Sequence, residues 1–204
     1  EAQPDLMLMI GDNHYANSSL RHTLRAYYLQ HHGVPSVAAV RAQTPTWAVW
    51  DDHDFTGNNT DGTAWGKEHA LAAFNRFWGN PPQGSEGYPG VWHSFRWGDV
   101  EFFMTDDRYY RSIDDGTMLG EAQLQWLLWG LSTSTATFKV LVSGSQWTLG
   151  GSADSWASFP GEWQVIVDHI MGQGIDGVVT VSGDIHRGEV RRIHPASDTA
   201  YALW

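Results

Sequence analysis

The sequence has 204 residues, of which 42% are apolar, and a formal net charge of -11. That length supports one sizeable core and argues against disorder, while an acidic balance with no Lys or Arg run excludes a nucleic-acid scaffold. There is no cysteine, so disulfides and thiolate ligands are excluded within these residues, and no apolar run reaches the ~18 residues of a membrane span.

In chain order, residues 5–10 after Pro4 form a short apolar run, read as a buried strand that ends at Gly11 and Asp12. Ser18 or Ser19 is the expected N-cap of a helix through His32, with Leu20, Leu24, Tyr27, Tyr28 and Leu29 as its apolar stripe and Gly33 as its stop. Residues 35–41 suggest a second short helix, and Pro45 precedes a strand over 46–50 that runs into Asp51, Asp52, His53 and Asp54. A helical period resumes over 67–78, and a surface connection with three prolines spans 79–90. Residues 91–97 and 100–105 flank Gly98-Asp99, a two-residue hairpin signal, and the second run ends in Asp106, Asp107 and Arg108. An amphipathic helix over 120–131, a strand over 138–142, a helix over 162–171 and a strand over 178–182 follow, with a last hairpin expected from 189–194 and 199–204. No repeat or linker interrupts this order, so residues 1–204 read as a single α/β domain. The chain starts at Glu1 and stops within the apolar run TAYALW, and both ends read as cuts in a longer protein.

The recurring feature is the way apolar runs end. Five turns at strand ends carry polar candidates: Asp12 with Tyr15, Asp51 to Asp54, Asp106 to Arg108, Ser145 with Gln146, and Asp184 with His186. One acidic loop reads equally well as caps and solvated polar residues. Several together fit one shared site, because loops at the carboxyl ends of strands converge. Mixed Asp, His and Tyr donors suit a hard or intermediate cation, and two cations would lower the pKa of a bound water and give hydroxide near neutrality. Phosphate-ester hydrolysis is the natural reaction of such a centre.

The motifs G-D-x-x-Y, W-D-D-H-D followed by N-N, D-x-R-Y-Y-R, L-G-x-x-Q-x-x-W-L, F-K-V with S-G-x-Q-W, and S-G-D-x-H stand here in the order seen in the PhoD-like alkaline phosphatase and phosphodiesterase family, which this chain resembles from residue 4 to residue 204. The resemblance implies a metallophosphoesterase fold, a two-sheet β-sandwich flanked by helices (α/β/β/α), with two metals, Fe(III) and Ca(II), or Mn or Zn in their place. It gives Asp12 the role of bridging carboxylate and Tyr15 that of a phenolate ligand to iron. Asp52 would hold the second metal, and His53 would protonate the leaving alkoxide or steady the transition state. Asp184 would serve the second metal and His186 the first, while Gln146 falls where a further ligand is delivered. Arg108 reads equally as a phosphate clamp and as a structural ion pair with a neighbouring Asp. The expected substrate is a small phosphate mono- or diester, attacked by a metal-bound hydroxide.

One departure is plain. The family places a further ligand segment with a Ser-Cys motif upstream of G-D-x-x-Y, so the first metal lacks ligands in this sequence, and that segment is expected to lie outside it. The lack of cysteine is compatible with an extracytoplasmic location, which is the location expected. Two other readings compete. A non-catalytic extracellular binding protein would use the Trp-rich loop 146–163 as an aromatic platform, and a glycoside hydrolase would use the paired DDHD carboxylates, leaving the GDIH histidine without a role.

Overall fold

A computed structural model describes residues 4–149 and 152–191. Its elements run β1 (Met7–Ile10), α1 (Arg21–His32), α2 (Pro35–Arg41), β2 (Thr46–Val49), α3 (Asp52–Phe55), α4 (Lys67–Phe77), β3 (His93–Trp97), β4 (Val100–Met104), α5 (Glu121–Thr133), β5 (Phe138–Ser143), α6 (Pro160–Gly172) and β6 (Val178–Ser182). The chain is thus mixed α/β with two sheets, as the alternation of periods implies. β1 and β2 pair in parallel, with Met7 opposite Thr46 and Ile10 opposite Val49. The second sheet has the order β3-β4-β5-β6, antiparallel in its first pair and parallel in the others.

Side-chain alternation on β4 and β5 explains why two separate cores exist. Phe102 and Met104 of β4, with Val140 and Val142 of β5, point into a core shared with Ala48 and Val49 of β2, Leu24 and Tyr28 of α1 and Phe74 of α4. Phe103 and Leu141, one residue out of phase, point to the opposite face and meet Leu127 and Leu131 of α5 and Ile166, Val167 and Ile170 of α6. Aromatic stacking fixes the small sheet against the large one: the Trp47 ring lies 4.0 Å from Phe95, and Phe95 lies 4.7 Å from Phe102. The outer edge of β2 is closed by an amide, since Asn80 accepts from Ala48 N and donates to Ala48 O in place of a strand.

Several sequence expectations change in detail. Only Leu24 and Tyr28 of the α1 stripe are buried, whereas Leu20, Tyr27 and Leu29 are exposed. Two positions four apart are the whole buried face of this helix, and 27 and 29 sit about 100° to either side of 28. The N-cap is Leu20 rather than a serine; Ser18 Oγ accepts from Leu20 N just ahead of the helix. The DDHD segment is a single helical turn, α3, and not an open loop. Of the expected last hairpin, Glu189, Val190 and Arg191 are not in a strand, and the remainder lies outside the described residues.

His93, at the start of β3, is buried and donates through Nδ1 to the Val91 carbonyl at 2.9 Å. Burial pushes its pKa from 6.5 down to about 4. The folded state therefore binds this proton less well than the unfolded chain, so the stability that the neutral ring contributes is full above pH 6.5 and drains as the pH falls toward 4. In urea titrations across that window, wild type should lose stability relative to His93→Gln, which keeps an N–H donor and does not titrate. A pH-independent difference between the two would refute this assignment.

Candidate metal centre

Four strand ends meet at one edge of the fold, and glycines make the approach close enough. A Cβ on Gly11, whose φ is +101°, would lie 2.6 Å from Asp51 Cβ, and one on Gly144 would lie 2.6 Å from the Trp50 carbonyl oxygen. Any larger residue at either position would push the turns after β1, β2 and β5 apart.

Asp12, Asp52 and His53 each offer one ligand atom within 4.8 Å of the others. Tyr15 donates its hydroxyl to Asp12 Oδ2 at 2.9 Å and lies 3.2 Å from His186 Nε2, which is itself 3.9 Å from the same carboxylate. Asp12, Tyr15, Asp184 and His186 line an open cleft of about 300 Å³. Asp184 and His186 also border a neighbouring depression with Asn58, Asn59, Gln146 and Asp154. Of the residues expected from the sequence to hold metal, Asp12, Tyr15, Asp184 and His186 line one opening, and Asp52 is buried within ligand distance of Asp12.

Electrostatics around this opening ask for a cation. Burial raises the Asp12 carboxyl, and the charge of Asp52 raises it further, against the lowering effect of the Tyr15 hydrogen bond. The Tyr15 phenol is pushed up to about 12, by burial first and then by Asp12. Asp184 is raised by burial and then by Asp154 and Asp52. Asp12 Oδ1 is buried with no hydrogen-bond partner. Carboxylates, a phenol and imidazoles with one orphaned oxygen match the donor set of a hard or intermediate cation, which would reverse each of these shifts.

Backbone strain points to the same place. Among the described residues, the non-glycine positions with positive φ are Asp12, Asn17, Asn59, Asp184 and His186. All five border the centre or hold a residue that does. Such conformations persist where the surrounding structure imposes them, and they cluster at sites.

The other polar residues of the DDHD turn divide the work. Asp52 accepts from His53 N at 2.6 Å and from Asn59 N at 2.7 Å, which aims the carboxylate and ties down the Asn58-Asn59 loop. Asp54 is fully buried and accepts from Asp51 N and from the main-chain and side-chain N–H groups of Asn13, so it locks the first turn to the second.

Not every acidic strand end reaches the centre. Asp106 accepts from Trp50 Nε1, Val91 N, Arg108 N and Tyr109 N, and Asp107 from Thr105, Ser143 and Ser145. These carboxylates are consumed in holding the fold. Arg108 is completely buried, and all five of its N–H groups are engaged: Nε by Asp51 at 2.6 Å, Nη1 by Thr60 O and Asp154, Nη2 by Ser145 and Asp154. Of its two sequence readings, the ion pair is the one this geometry carries, since a phosphate would have to displace an existing acceptor. Gln146 is buried at the rim, donates to Thr148, and keeps an unpartnered Oε1. Trp147, Trp156 and Trp163 face the second core, and the indole N–H groups of Trp156 and Trp163 reach Ser143 and the Trp147 carbonyl. They offer no exposed platform.

Sequence reasoning gave no role to two residues. Asp154 receives both Arg108 and Arg111, yet sits in a Gly/Ser loop with no strand before it. Asn17 contacts His53 at 2.6 Å across 36 positions, a pairing that spacing does not reveal.

Residues 1–202 match the family model described as PhoD-like phosphatase. The chain belongs to the PhoD-like phosphatase family. It is 25% identical over 219 aligned positions to alkaline phosphatase D of Bacillus subtilis (strain 168), covering 87% of this chain and 38% of that protein. A solved structure of PhoD superposes with a TM-score of 0.76 at 21% identity, covering 91% of this chain and 47% of that one, which establishes the likeness of fold. The chain thus spans less than half the length of either PhoD-like relative.

Proposed function

We propose that this chain carries the metal-binding core of a phosphoesterase, an alkaline phosphatase or phosphodiesterase acting on small phosphate mono- or diesters outside the cytoplasm. The observation that supports it best is the convergence of Asp12, Asp52 and His53 within 4.8 Å, extended by Tyr15 and His186. In this reading the two sheets form the sandwich of the metallophosphoesterase fold, with the centre at one edge. Asp12, Tyr15, Asp52, Asp184 and His186 would hold two cations, Fe(III) and Ca(II), with Mn or Zn as alternatives. When bound, the cations supply charge neutralisation on the phosphoryl oxygens and an acidified water.

The remaining steps belong to side chains. Asp12 draws its partners together, and Asn59 N and His53 N keep the Asp52 carboxylate aimed. His53 is half-buried with Nε2 on the side of Asp52 Oδ1, 4.0 Å away, and in its doubly protonated form would deliver the Nε2 proton to the departing alkoxide, leaving the neutral ring. Arg108 serves from behind by neutralising Asp51 and Asp154. No described helix is long and apolar enough to cross a membrane.

The direct test is elemental analysis of the purified protein with turnover of p-nitrophenyl phosphate and bis(p-nitrophenyl) phosphate. Bound iron and a second metal are expected, with hydrolysis that disappears on chelation and returns on metal addition. Turnover that survives complete metal removal would eliminate the proposal.

A further inference from the structure

Asn17 lies five residues after Asp12, in a stretch that is neither helix nor strand, and its backbone sits in the left-handed region with φ +46°. Asparagine is one of the few residues that enters that region readily. The conformation lets one residue grip His53 twice. Asn17 N donates to the His53 carbonyl at 3.2 Å, and Asn17 Oδ1 lies 2.6 Å from His53 Nδ1. The Tyr15 ring covers a face of the imidazole, with centroids 4.2 Å apart and planes tilted by 36°. The opposite edge carries Nε2, whose nearest carboxylate, Asp52 Oδ1, is 4.0 Å away, beyond hydrogen-bonding distance.

An amide oxygen can only accept, so with the Asn17 amide oriented this way His53 Nδ1 carries the hydrogen. Nε2 is then the nitrogen with a lone pair in the neutral ring, and it is the one turned to the centre. We propose that Asn17 is a positioning residue that locks His53 in the Nδ1–H tautomer, so that Nε2 alone exchanges protons or donates a lone pair at the centre. An amide does this without adding a charge to a site already crowded with carboxylates. It also cannot take the proton from Nδ1, which leaves the ring a single route for proton traffic. What Nε2 then does rests on the phosphoesterase reading; the tautomer lock does not.

The test begins on metal-free protein, where nitrogen-15 spectra of labelled histidine report which ring nitrogen is protonated. Wild type should show His53 as one Nδ1–H tautomer. Asn17→Gly, which tolerates the same backbone angles, should populate the Nε2–H form, and Asn17→Asp, which keeps the acceptor, should retain Nδ1–H. In the metal-loaded enzyme, Asn17→Gly should lower kcat about 10- to 100-fold on esters with a poor leaving group, the range seen when a partner that orients a site residue is removed. KM should hold steady, p-nitrophenyl esters should suffer less, and Asn17→Asp should rescue. An Nε2–H tautomer in wild type, which a reversed amide would produce, overturns the proposal, and so does a tautomer that ignores Asn17→Gly. A locked Nδ1–H ring in a protein without hydrolase activity would support the lock and count against the phosphoesterase reading alone.

Discussion

Asp12→Asn is expected to strip the centre of metal and lower turnover by about 10³-fold, at the upper end of what loss of one preorganised electrostatic partner costs. The substitution keeps the shape of the side chain and an acceptor for the Tyr15 hydroxyl, so folding should be undisturbed. What it removes is a negative charge at the point where Tyr15 and His186 converge and where Asp52 and His53 lie within ligand distance. His53→Ala provides the contrast. Losing a proton donor lowers turnover by roughly 10²- to 10⁴-fold without discharging the cations, so this variant should retain its metal. Elemental analysis beside kcat separates the two roles. If Asp12→Asn kept full metal and turnover, the bridging assignment would fail, and if His53→Ala lost metal in step with activity, His53 would be a ligand.

The sequence shows where strands end but not where their carboxylates point. The turns after β1, β2 and β6 reach the centre, and so does part of the turn after β5, yet Asp106 and Asp107 after β4 look the same in sequence and serve main-chain N–H and hydroxyl groups instead. Nothing local distinguishes Asp106 from Asp52: each follows an apolar run, and only the partner across the fold decides. The β6 strand, a simple continuous run, lies at 178–182 as read. The α1 stripe is wider in the sequence than in the fold, because the helix packs on α4, with Tyr28 stacked on Phe77, and buries only Leu24 and Tyr28. The part Asn17 plays is illegible in the sequence for the same reason as that of Asp154. Its role comes from a left-handed backbone and a contact 36 residues away, and neither leaves a periodic trace.

Arg108→Met should destabilise the protein by about 3–5 kcal/mol, the usual cost of removing one partner from a buried ion pair. Against a typical total of roughly 5–15 kcal/mol, that is enough to leave much of the chain unfolded at moderate urea. The cause is what stays behind. Asp51 is 1% exposed and Asp154 is 7% exposed; without the guanidinium Asp51 loses its cationic partner inside the fold, and Asp154 is left with Arg111 alone. Burial already lifts Asp51 to about 7, with Arg108 as the main opposing influence. Its folded pKa stands above the unfolded value of 3.8, so what it adds to stability is complete below 3.8 and lost as the pH rises through about 7. Removing Arg108 lifts Asp51 further, and the deficit of the variant against wild type should therefore widen from pH 5 to pH 8 in urea titrations. Arg108→Lys should recover little, since one ammonium cannot meet acceptors on Asp51, Thr60, Ser145 and Asp154 that a planar fork meets together. A phosphate clamp predicts the reverse pattern, an unchanged urea midpoint with a raised KM. Finding that pattern would return Arg108 to the substrate, whereas a collapsed midpoint with KM preserved in the folded fraction places it in the scaffold behind Asp51.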